Sequence, residues 1–146
     1  MTPDPRKPLS PLDSQVINHL TAALGPPQSC LITRQGDRDI YINAWVVGFG
    51  RTTVPADSSK VEKGIDVTIR LTAGGALVTT RCAWTRTPDG ESQESQTGQV
   101  HTAPDLAYQW LVKDGKGKLG PASKEAWIQA CLTVPPMNGL EFERVE

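Results

Sequence analysis

Between Ile65 and Thr72 the chain alternates without a break. Ile65, Val67, Ile69 and Leu71 are apolar, and Asp66, Thr68, Arg70 and Thr72 lie between them. A period of two sorts these sets onto opposite faces of a pleated strand, which a helix cannot do. Ala73-Gly74-Gly75 follows, and glycine accepts the positive φ of a tight turn without steric cost. Residues 76–85 then return as the paired strand. This stretch commits the chain to an antiparallel sheet with one face buried.

The pattern continues upstream. Residues 29–34 read as a strand, Gln35 to Asp39 as a turn, and residues 40–49 as a second strand. In that second strand Ile40, Ile42, Ala44 and Val46 point one way, and Tyr41, Asn43, Trp45, Val47 and Phe49 the other. Both sets are largely apolar, so a central strand covered at least partly on both sides is expected. Residues 50–64 read as a polar loop. Leu140-Glu141-Phe142-Glu143-Arg144-Val145 alternates again and reads as a final edge strand, where Glu141, Glu143 and Glu146 discourage edge-to-edge pairing.

Helical segments flank this sheet. Ser10 is placed as an N-cap with Pro11 in the first turn and Asp13 at the capping-box position. Leu12, Val16, Ile17, Leu20 and Leu24 form one stripe, and Gly25-Pro26-Pro27 stops the helix. Thr102 caps a second helix with Leu106, Ala107, Trp110 and Leu111 on its apolar side. Pro121 opens a third, with Ala126, Trp127, Ala130 and Cys131, halted by Val134-Pro135-Pro136. The expected fold is α+β: an antiparallel meander of about five strands in the order α-ββ-ββ-αα-β, with the helices packed on one face. Residues 1–9, with three prolines, read as a flexible arm. Residues 10–146 read as one domain carrying a polar, disordered loop at 87–101.

Composition narrows the class of job. No apolar run approaches the ~20 residues of a membrane span, and the N-terminus has no hydrophobic stretch behind its charges, so no secretory signal is read there. Cys30, Cys82 and Cys131 are odd in number and widely spaced. They read as small buried hydrophobes in a reducing, cytoplasmic setting. The net charge of -1 hides an asymmetry. Residues 28–86 carry eight Lys/Arg against five Asp/Glu, and residues 87–146 carry five against nine.

Candidate chemistry is sparse. His19, His101 and the cysteines lack the spacing of a zinc site. A Cys–His pair could be assembled in space from Cys82 or Cys131 with His101, but no nucleophile motif surrounds any of them. The stretch from Lys113 to Pro121 is rich in Gly and Lys and precedes a helix start, yet it departs from the phosphate-loop pattern. No cofactor is implied and no enzyme is expected. The leading expectation is a non-catalytic binding or assembly module. It would act through an edge strand, the arm or the loop, on a protein partner or a second copy of itself. The alternative is a single-stranded nucleic-acid-binding protein. That reading uses Trp45, Arg51, Arg70 and Arg81 on the sheet with Lys116 and Lys118 from the Gly/Lys loop.

Overall fold

The computed structural model describes residues 3–54, 60–114, 117 and 119–142. Helix α1 (Ser14–Leu24) is followed by strands β1 (Gln28–Ile32), β2 (Ile40–Val54), β3 (Glu62–Thr72), β4 (Leu77–Arg86) and β5 (Ser92–His101). Helices α2 (Pro104–Asp114) and α3 (Pro121–Thr133) and a 3-10 turn (Pro135–Met137) come last. The five strands form one antiparallel sheet in sequence order, as the alternation requires.

The fifth strand is not the expected one. Residues 92–101 pair with β4 along their whole length, whereas Leu140–Phe142 are irregular and residues 143–146 lie outside the described residues. Residues 92–101 offer almost nothing to a core, and most of their side chains are exposed. The backbone ladder to β4 forms an edge strand without them, since an edge needs only one paired side. Strands β2 and β3 also run further than the period suggests, taking up much of the polar stretch at 50–64. Pro55 to Ser59 lie outside the described residues.

Helix α1 begins at Ser14. Asp13, not Ser10, caps it, accepting from the Val16 N–H at 2.8 Å. Ser10 lies against Gly75 instead, where a Cβ would stand 2.7 Å from the Ser10 Cα. The N-terminal segment is laid on the body. Leu9 packs against the core, and the Pro5 carbonyl accepts from Asp105 N–H at 2.8 Å, satisfying one open donor in the first turn of α2.

One irregularity organises the sheet. Val46 pairs with Arg70 and Gly48 with Ile69, so Val47 is an extra residue and β2 bulges there. Past the bulge the faces exchange. Trp45, Val47, Gly48 and Gly50 are buried on the helix side, while Phe49 and Arg51 turn to the opposite face, away from the side expected for Phe49. The two glycines let α3 lie directly on the strand. A Cβ on Gly48 would fall 2.2 Å from the Ala126 carbonyl oxygen, and one on Gly50 would fall 2.0 Å from that of Ala122. Ala122, Ala126 and Ala130 supply the matching helix stripe, and the Gln129 side chain accepts from the Phe49 N–H at 2.7 Å. The core fills in around this contact with Trp45, Val67, Ile69, Leu71, Leu77, Leu20, Leu111 and Trp127.

The sheet curls over its other face. The chain after β1 reaches across to β5: Gln35 N–H donates to the Gln96 carbonyl at 2.8 Å, and the Gln96 side-chain amide donates to the Thr33 carbonyl at 2.7 Å. The Arg34 guanidinium donates to the carbonyls of Arg38 and Gly98 and pairs with Asp37. Ile32, Val78 and Thr80 are buried beneath this clasp.

The α3–β2 contact is directly testable. Gly50→Ala must push backbone from backbone, so it is expected to destabilise by about 1–3 kcal/mol or more, measured by urea unfolding. Gly120→Ala, with nothing within 4 Å of the new Cβ, is expected to cost no more than about 0.5–1 kcal/mol, the difference between a glycine and an alanine N-cap.

Candidate functional site

The exchange of faces at Val47 brings Phe49 and Arg51 to the side of the sheet that no helix covers. There the register sets Arg51 beside Asp66, and Gly64 beside Trp84. Arg51 forks onto Asp66, with Nε to Oδ1 and Nη2 to Oδ2 both at 2.7 Å. The Trp84 indole N–H donates to the same carboxylate at 3.2 Å. The guanidinium lies 5.7 Å from the Phe49 ring centroid and 5.8 Å from that of Trp84, and Arg86 sits 5.8 Å from Trp84. A cation thus rests between two rings with a second cation beyond.

Gly64 makes this arrangement possible. The Trp84 ring lies where a Gly64 Cβ would be, 2.2 Å from Cζ2. Asp66 is held below the usual carboxylate range, first by the hydrogen bond from Arg51 and then by that from Trp84. Both donors favour the charged form. The platform is partly open: Phe49 is 39% exposed and the Arg51 side chain 55%. A hollow of about 470 Å³ adjoins it, with Trp84, Gly64, Gln35 and Glu94 on its walls.

The residues singled out in the sequence do not gather here as a group. Arg51 belongs to the platform, and Arg70 lies on the same face, half-buried, farther along β3. Trp45 is on the other face. It is 3% exposed, with its indole N–H donating to the Gly25 carbonyl at 2.9 Å, so its ring is core and offers no stacking surface. Arg81 pairs across the ladder with Val67 and therefore shares the helix-facing side. Lys116 and Lys118 lie outside the described residues. Trp84, Arg86 and Gly64 were not singled out at all. The glycines at 48, 50 and 64 were the available signal, because a glycine inside a strand marks a bulge or a close approach.

The titratable candidates are dispersed. His19 is exposed on α1. His101 is buried, its Nε2 2.7 Å from the Thr79 hydroxyl and its ring 6.1 Å from that of Trp110. Neither Cys82 nor Cys131 is bonded to it. Burial pushes the Cys131 thiol up to about 12, and burial followed by Glu94 and Asp66 raises that of Cys82, so neither is poised as a thiolate. Among the described residues no three His, Cys, Asp or Glu side chains converge as metal ligands. No helix among them is long and apolar enough to cross a membrane.

Comparison with known proteins adds no identity: no family model, no curated protein and no solved structure matches the chain.

His101 gives a pH dependence with a definite sign. Burial lowers its pKa from 6.5 to about 4, so the unfolded chain binds a proton that the folded one refuses. The stabilisation is complete above about pH 6.5 and is lost as the pH falls toward 4, on the order of 2–3 kcal/mol in all. Urea midpoints between pH 7 and pH 5 should fall for the native chain and flatten in His101→Gln.

Proposed function

We propose that this chain is a non-catalytic binding or assembly module whose partner is a protein, docking on the face that carries Phe49, Arg51, Trp84 and Arg86. The observation behind this reading is the Phe49–Arg51–Trp84–Arg86 stack, ordered on rigid strands and left open. Aromatic residues and arginine are the types that dominate protein interfaces. The rotamers of Arg51 and Trp84 are already held by Asp66 and by the Gly64 seat, so little of their freedom is lost on docking. The charge of Arg51 is spent on Asp66, which suits a partner recognised by shape and stacking.

The same features weigh against the single-stranded nucleic-acid alternative. It draws on Trp45, which is core, and on arginines divided between two faces. A nucleic-acid site needs cations left over for phosphates, and this platform holds Arg51 in an ion pair. Gel shifts with single-stranded DNA and RNA at low salt should show no salt-sensitive complex.

Two substitutions test the platform. Trp84→Ala removes the middle ring, and Gly64→Ala displaces it while keeping it. Each is expected to weaken partner binding about tenfold or more, the loss typical of an interface anchor, with little effect on far-UV circular dichroism. Binding is read by capture from the protein's native source, followed by titration of the purified partner. A chain that retains no protein overturns the proposal, as does partner binding indifferent to both substitutions.

A further inference from the structure

On the other side of the molecule, the end of β5 and helix α2 enclose an open groove of about 710 Å³. Val100 and Leu106, 45% and 46% exposed, line it with Trp110 and Lys113, and among the described residues no carboxylate takes part. Its floor is a strand edge. Gln96 and Gly98 turn their carbonyls outward, where Gln35 and Arg34 meet them. The two-residue repeat of an antiparallel ladder turns the N–H and C=O of Val100 the same way. No described residue bonds to either. Clasped at Gln96 and open at Val100, this edge can accept one further strand.

The chain contains a segment of matching chemistry. Leu140-Glu141-Phe142-Glu143 alternates apolar and charged residues, Arg144-Val145-Glu146 follows with the period shifted by one, and three of the seven are glutamates. Its described residues, Leu140–Phe142, belong to no strand of the sheet. Phe142 is 73% exposed beside Tyr108, and Leu140 is held by the Trp127 indole N–H on its carbonyl at 3.1 Å. Its glutamates repel a like segment but suit a groove that presents Lys113 and no acid.

The segment's own groove is out of its reach. Tyr108 and Phe142 border one side of α2, whereas Leu106, Trp110 and Lys113 border the other. Crossing a helix of about 10–12 Å diameter would consume nearly all of the ~13 Å that residues 143–146 can span, so these residues cannot lie along it. We infer that the groove between β5 and α2 accepts residues 140–146 of a second copy of this chain, as an added strand beside Val100.

The test uses the full chain in sedimentation velocity from low to high micromolar concentration. Phe142→Glu spoils the donor and Leu106→Glu the acceptor. Both side chains are exposed, so the core is untouched. The native chain should rise with concentration to about twice the monomer mass or beyond, while each variant alone stays monomeric. An equimolar mixture should associate again, because one variant keeps an intact segment and the other an intact groove. A native chain that remains monomeric throughout, single variants that associate like the native chain, or a mixture that stays monomeric would each overturn the inference. Trp84→Ala should associate as the native chain does. Loss of association there would assign self-contact to the platform and also refute the strand exchange.

Discussion

The contact between α3 and the middle of β2 is the constraint on which the rest of the molecule is arranged. Backbone approaches backbone there because Gly48 and Gly50 have no Cβ and the facing helix presents only alanines. Such closeness allows no adjustment by rotamer, so the helix is fixed in place along the strand. Val47, the extra residue, is what aims both glycines at the helix. The same extra residue turns Phe49 and Arg51 outward. Core and candidate interface are therefore two results of one bulge, and the platform cannot be moved without disturbing the packing behind it.

Electrostatics on this protein is local. The excess of positive charge in residues 28–86 is divided between the two faces of the sheet. Arg34 is spent on carbonyls and Asp37, and Arg51 on Asp66, while Arg70 and Arg81 face opposite ways. A count of charges along a strand pair says little about the field above it, because alternation splits the residues between two faces. The acidic C-terminal third behaves differently. Its glutamates at 141, 143 and 146 fall on one short segment, where Glu141 and Glu143 share a direction if it is extended.

The meander, the three helices and much of the core could be read from periodicity, because Ile65 to Leu71 and the α1 stripe sort their side chains unambiguously. Two parts could not. Residues 92–101 form a strand through backbone pairing alone, so no apolar signal announces them. The bulge at Val47 is invisible to a strict period of two, and one slip reverses every assignment downstream of it. That error moved Phe49 to the wrong face and hid its partnership with Arg51 and Trp84. The side taken by Trp45 is left open by the sequence for a related reason. An aromatic on a strand with two apolar faces can point either way, and only the covering helices decide.

The clasp at Gln35 and Gln96 has a consequence for how the sheet comes apart. β5 contributes few side chains to the interior, so its attachment rests on polar bonds that water can replace one at a time. β2 and β3 are sealed by α3 and can separate only when the whole interior is flooded. The molecule thus has a peelable margin and an indivisible centre. Amide deuteration should divide along that line, with the fifth strand labelling through partial opening and the middle pair only through complete collapse.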